Sequence, residues 1–332
     1  MRSEIRILQN RDQSRLLRLE ALDEGAQHAL AAGDFDGVEV TADFGGFEQL
    51  APWHHNIRWL FAPQATSADG LARLESLERI SFVGSQWGYD FDYRSLPQLK
   101  VLECGSAAKV RAKFLDHPRL EILELAGGNL KDFSALPHAT ALRAVLLESC
   151  KTQSLAGIEA LNSLRELRLL EARSLVEVSA LAALQALEVL VITAAVKLQV
   201  ISAIRQLPHL RCLHVEAKTA SVADLGFVAT MPGLEILNLW APVESIDWPA
   251  LASHPSLCEL GLQMAPGRQF DAEDTIRGHF AAAGRTVKKL TKFSGTSPQI
   301  KLELDPPVGR HAGPALGSNL RRLSTWLAHA RS

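Results

Sequence analysis

The chain has 332 residues, 47% hydrophobic and 22% charged, with a formal net charge of −2. This balance is ordinary for a folded domain and excludes a collagen-like sequence, a disordered chain and a disulfide-stapled mini-domain. The near-neutral total argues against a whole-chain polyanion binder, and no apolar run reaches the ~18 residues of a membrane helix.

Residues 1–34 come first. IRIL and LLRLEAL read as strands or one short helix, expected to form an N-terminal cap. MRSEIRILQNRDQSR carries charges where a signal peptide needs its apolar stretch.

From Phe35 onward one pattern recurs: an apolar residue at positions 1, 4 and 6 of a six-residue block. The clearest copies are LEILEL from Leu120, LRELRL from Leu164, LEVLVI from Leu187, LRCLHV from Leu210, LEILNL from Leu234 and LCELGL from Leu257. Weaker copies start at Phe35, Ile57, Leu77, Leu99 and Leu142, and the steps between copies run from 20 to 24 residues. A helical pattern would drift at a period of 3.6. So steady a step marks an internal repeat.

Between copies, apolar residues recur every third place, as in VSALAALQAL, which suits a tight helical turn. Pro97, Pro118, Pro208, Pro232 and Pro255 each stand two residues before position 1. Proline there ends the turn and steers the chain into the next strand. Position 2 alternates in sign through Arg58, Glu78, Lys100 and Glu121, and again through Arg165, Glu188, Arg211 and Glu235. Opposite charges about 5 Å apart along such a row can pair from strand to strand.

The pattern resembles the leucine-rich repeat family, most nearly its short 22-residue class, as in internalins and the leucine-rich regulatory subunit of protein phosphatase 1. The resemblance implies an α/β leucine-rich repeat solenoid over residues 35–265 in about eleven repeats. Such a solenoid is curved, with a parallel sheet on the concave side and short helical turns on the convex side. One departure concerns the place three residues after position 6, where the family usually has Asn. Here it holds Gly128, Cys150, Ala172, Ala195 and other residues, never Asn. Backbone groups at that turn must find other partners.

Residues 266–332 leave the repeat and are expected to form a C-terminal cap with a basic tail. DAEDTIRGHFAAAG reads as a helix with Asp271 as N-cap and Gly284 as its stop, and IKLEL at 300–304 as a strand. SNLRRLSTWLAHARS places Leu320, Leu323, Trp326 and Leu327 on one helical face. From Arg285 to the end there are nine Lys/Arg and two Asp/Glu, a net of +7, so the rest carries −2 − 7 = −9. A solvated basic tail explains this, and so does a tail that binds an acidic surface. Without interleaved aromatics, nucleic acid is not an expected partner.

No Walker loop, dinucleotide fingerprint, H-E-x-x-H or G-x-S-x-G stands in the chain. No catalytic residue, metal ligand or cofactor is expected. Cys104, Cys150, Cys212 and Cys258 lie in separate, non-adjacent repeats, which fits a reduced, cytoplasmic chain without disulfides. The Ala/Leu/Arg-rich composition suggests a bacterial source.

Positions 4 and 6 point into the core, so positions 3, 5 and 7 line the other face. The expected partner-binding residues there are Trp59, Phe61, Arg79, Glu103, Ile122, Glu124, Leu146, Glu148, Glu166, Arg168, Val191, His214, Glu216, Asn238 and Trp240. The apolar members, with Val101, Leu170, Val189 and Ile236, read as a broad exposed stripe. Glu103, Glu124, Glu148, Glu166, Glu216 and Glu259 outnumber Arg79 and Arg168. The expected function is non-catalytic protein binding, with a partner that is basic and partly apolar, away from membranes. One alternative is a bacterial immunity protein masking a basic toxin or enzyme. Another is an effector whose repeats select a substrate for residues 266–332.

Overall fold

The computed structural model describes residues 4–7, 15–41, 44–63, 65, 67–82, 91–105 and 110–305. The expected amphipathic face at Leu320–Leu327 and most of the basic tail lie outside the described residues. The chain divides into two compact units, Met1–Cys150 and Lys151–Ser332. The division falls inside the run of repeats.

In the first unit, β1 (Glu4–Ile7) pairs antiparallel with β2 (Arg15–Leu19), which pairs parallel with β3 (Gly37–Val40). The helix α1 (Glu24–Ala32) connects β2 to β3. The Asp23 carboxylate accepts the Ala26 N–H at its start, and Gly33 at φ 67° ends it. The parallel order continues through β4 (Trp59–Phe61), β5 (Arg79–Phe82), β6 (Val101–Cys104), β7 (Ile122–Ala126) and β8 (Ala144–Glu148). Positions 4 and 6, such as Leu102, Leu123, Leu125, Val145 and Leu147, are buried as the pattern requires.

In the second unit, β9 (Glu166–Leu170), β10 (Val189–Ile192), β11 (Cys212–Glu216), β12 (Ile236–Val243) and β13 (Glu259–Met264) are parallel. A short helix α2 (Trp248–Ala252) takes the place of a 3-10 turn before β13. Beyond it come α3 (Glu273–Ala282), β14 (Val287–Phe293) and β15 (Gln299–Leu304). β15 pairs antiparallel with β13, and β14 pairs antiparallel with β15. The helix expected at Asp271 starts later: its cap is Ala272 with no side-chain bond, while the Asp271 carbonyl accepts from Lys292 Nζ at 2.6 Å. The expected strand at 300–304 is β15.

The connecting turns explain the three-residue spacing. Leu74 N–H donates to Leu71 C=O and Leu77 N–H to Leu74 C=O; Leu161, Leu164, Leu184 and Leu187 repeat the arrangement. Each bond closes a 3-10 turn and returns the next leucine to the same side. Those leucines are buried against positions 4 and 6. The His-Pro corners are staples: His117 Nε2 lies 3.0 Å from Leu96 O while Nδ1 accepts Arg119 N–H. His254 does the same with Met231 O, Ser256 N–H and Leu257 N–H. An accepting Nδ1 places the ring proton on Nε2, so these are neutral imidazoles.

The turn after each strand works without Asn. Gly127, Ser149, Glu171 and Ala194 adopt positive φ of 67°, 50°, 49° and 53°. Gly127 N–H reaches Glu148 C=O, Ala172 N–H reaches Thr193 C=O, and Ala195 N–H reaches Glu216 C=O. Backbone thus replaces the missing amide ladder. Cys150 adds to it by accepting Gly128 N–H at 3.3 Å and approaching Leu125 O at 3.5 Å.

Candidate functional site

The face built from positions 3, 5 and 7 is the candidate site in each unit. In the first unit the registers run Trp59–Arg79–Val101–Ile122–Ala144 and Phe61–Ser81–Glu103–Glu124–Leu146. Arg79 lies over the Trp59 ring, 4.2 Å from its centroid, and reaches Glu103 at 2.8 Å. A guanidinium can stack on the ring and keep its donors for the carboxylate. The Trp59 indole N–H is buried without a partner among the described residues. Phe61, Ile122 and Glu124 are half-buried; Leu146 and Glu148 are buried.

In the second unit the rows are Glu166–Val189–Cys212–Ile236–Glu259 and Arg168–Val191–His214–Asn238–Gly261–Lys301. Val189, Val191, Cys212 and Ile236 form a buried cluster on which Leu170 packs. Arg168 is only 3% exposed and bonds Glu166 two residues away on its own strand. The expected exposed stripe is therefore corrected: Leu146, Val189, Val191 and Ile236 are buried. On one side of a sheet, neighbours about 5 Å apart cover one another. The acidic bias is also less free than the sequence suggests. Glu103 and Glu166 are paired with arginines, Glu259 accepts Asn238 Nδ2 at 2.8 Å, and Glu216 accepts Ala194 N–H at 3.3 Å.

The most distinctive group lies towards the β15 end. His214 Nε2 is 3.2 Å from Glu216 Oε1, and Glu216 stands beside Trp240 in register. The His214 bond is the main cause that holds the Glu216 carboxyl below the usual carboxylate range. A bulge after Leu239 pairs Gln263 with Pro242, so Trp240 and Gln263 do not align as expected. The Trp240 ring and the Asn238 amide fill the space above Gly261. A Cβ at 261 would strike Asn238 Oδ1 and come within 2.9 Å of Trp240 Cζ2. Lys301 Nζ lies 5.5 Å from the Trp240 ring centroid. Asn238 is 5% exposed, and its Oδ1 has no donor among the described residues. Its Nδ2 bond to Glu259 fixes which way the amide points, because reversal would set oxygen against carboxylate. Sequence periodicity placed Asn238 and Trp240 on this face, but not Lys301, which arrives from the antiparallel β15.

The chemistry for metal or thiol catalysis is sparse. Among the described residues no group of three or more His, Cys, Asp or Glu could hold a metal. All four cysteines are free. Burial pushes Cys104 and Cys212 up to about 12 and Cys150 to about 11, which leaves protonated, unreactive thiols. Among the described residues no helix is long and apolar enough to cross a membrane.

No family model matches the chain, and no curated protein matches it. Among solved structures, the functional domain of InlJ from Listeria monocytogenes, which includes a cysteine ladder, is 16% identical with a TM-score of 0.49. That match covers 76% of this chain and 57% of the InlJ chain. The leucine-rich repeat protein LIC12759 of Leptospira interrogans is 17% identical, with a TM-score of 0.46 over 72% of this chain and 70% of its own. The plant peptide hormone receptor RGFR1, in complex with RGF2, is 10% identical, with a TM-score of 0.43 over 76% and 47%. The repeat class rests on this chain's own parallel registers, 3-10 turns and buried positions 4 and 6: each unit is a stretch of α/β leucine-rich repeat solenoid.

Proposed function

We propose that the chain is a non-catalytic protein-binding module, and that its partner seats on the open sheet face around Asn238 and Trp240. The observation that carries this is the half-buried Trp240, set over Gly261 beside Lys301 and in register with Glu216. Tryptophan supplies the large rigid surface typical of binding hot spots. With His214 and Glu216 adjacent, the fitting partner offers a basic side chain next to an apolar one. The first unit's Trp59, Phe61, Arg79, Ile122 and Glu124 offer a surface of the same kind within that unit. In this reading residues 1–34 and 266–332 cap the repeats, and the free thiols suit a reducing, cytoplasmic compartment.

The test is affinity capture with the full chain, followed by titration of whatever protein it enriches. Trp240→Ala should weaken binding by about 2 kcal/mol or more, some thirty-fold, with an unchanged unfolding midpoint. A chain lacking residues 316–332 should bind as the full chain does. Loss of binding on that deletion, with Trp240→Ala binding normally, would overturn the reading.

A further inference from the structure

Of the large hydrophobic residues exposed among the described residues, Phe293 shares the sheet face, in register with Gln299 and Gln263, and the others stand in the turns. The four are Val176, Val196, Val200 and Phe293, at 53%, 50%, 65% and 50%. Three of the four stand in two successive turns of the second unit. Counted from the alanine that bonds the next strand's carbonyl, Val176 is four residues past Ala172, and Val196 and Val200 are one and five past Ala195. The turns are held in place: Glu171 N–H donates to Thr193 Oγ1 at 3.0 Å, and Thr219 Oγ1 donates to Leu198 C=O at 2.8 Å. β-branched side chains on a fixed backbone make a rigid apolar strip.

Cations frame this strip. Lys151, Arg173, Lys197 and Lys218 are all exposed along the same edge. Arg173 lies 3.6 Å from Glu171. Lys151 and Lys197 make no ion pair among the described residues, while Lys218 acts through its charge on Glu216. Glu177, the other acid there, is engaged by Ser154 Oγ and Ser179 N–H. The backbone is also interrupted here. Val176 N–H bonds Gln153 C=O on one side, and Val222 N–H bonds Pro242 C=O on the other. Gln199 and Val200 N–H make no such bond among the described residues.

We infer that this edge of the second unit is a second docking surface, separate from the sheet face, for an extended acidic protein segment carrying aliphatic side chains. Carboxylates would meet the exposed lysines, Lys151 and Lys197 above all, aliphatic groups would cover the valines, and the segment's backbone could bond Gln199 and Val200. A lipid surface fits less well. Membrane-facing patches rely on Trp, Phe and Leu, whereas the exposed apolar groups here are short valines and residues 150–226 contain no aromatic residue.

The test uses the full chain and a short fluorescent peptide of alternating glutamate and leucine, read by anisotropy. Lysine–leucine and glutamate–serine peptides and phosphatidylserine vesicles are the controls. The glutamate–leucine peptide should bind, more weakly as salt rises, and better than either control peptide. Val196→Ser with Val200→Ser should weaken it at least tenfold, and so should Lys197→Glu with Lys218→Glu. Those side chains are exposed, so the unfolding midpoint should hold. Trp240→Ala should leave the affinity unchanged, which separates this surface from the sheet face. Absence of glutamate–leucine binding, equal binding by the edge variants, or binding to vesicles but not to the peptide would overturn the inference.

Discussion

In the first unit the face cation Arg79 lies over Trp59 and reaches Glu103 on the next strand, with 31% of its side chain exposed. In the second, Arg168 is bonded to Glu166 on its own strand, with 4% exposed beside an aliphatic cluster. The two arginines stand at different places on the face, position 3 and position 5, and the buried member of the ion pair is the carboxylate in the first, Glu103 at 6% exposed, and the guanidinium in the second. The turns are more alike: the first unit meets its positive φ with Gly127 and Ser149, the second with Glu171 and Ala194. Where a face seals itself, binding groups are left only at its margins. In the second unit those margins are the Trp240 end and the valine edge.

The largest test of this contrast is a pair of truncations. Arg168→Ala should cost about 2–3 kcal/mol of stability, because a buried stem and a paired charge are lost together. Arg79→Ala should cost less, about 1–2 kcal/mol, because the arginine itself is part-exposed although its partner Glu103 is buried. Urea denaturation of the two variants measures both; equal losses would erase the difference between the two sites.

A smaller effect sharpens the role of the corner staples. Burial is the main cause that pushes the His117 pKa below its ordinary value, outweighing the Leu96 carbonyl bond. The unfolded chain then takes up the proton more readily than the folded one. The stabilisation from this histidine is full above a pH of about 6.5 and is lost as pH falls towards the folded value. Denaturation midpoints taken between neutral and mildly acidic pH should decline, and His117→Phe should flatten that decline at the cost of lower stability throughout.

The smallest change concerns the turns. Ala194→Gly removes a Cβ from a backbone at φ 53°. It should raise stability by about 0.5–1 kcal/mol, with part of the relief offset by unfolded-chain entropy. Thermal melting of the variant decides it; a drop would mean that the Ala194 side chain contributes packing that exceeds its strain.

Periodicity made the core legible. Every copy from Leu77 to Leu257 puts positions 4 and 6 inside, and the three-residue spacing is the 3-10 turn. The alternating charges at position 2 meet as Lys100–Glu78, Arg165–Glu188 and Arg211–Glu235, at 2.7, 2.5 and 2.7 Å. Exposure on the second face was not legible, because it depends on lateral neighbours that a one-dimensional pattern does not count. Val191 and Trp240 look alike as face positions, yet one is inside a cluster and the other at its margin. β14 was also hidden: VKKLTKF does not alternate, because the pairing slips between Val287 and Lys289. Asp271 missed its cap because its carbonyl is held by Lys292.

The reversal of strand direction at β15 has a consequence for solubility. A sheet of parallel repeats ends on a strand whose free backbone groups invite another such strand, including one from a second molecule. Here β15 takes that edge on β13, and among the described residues β14 is outermost, with Lys289 and Lys292 exposed and Lys288 paired with Asp305. Two such edges repel each other by like charge. A last hairpin of this kind would discourage fibre-like stacking of the repeats.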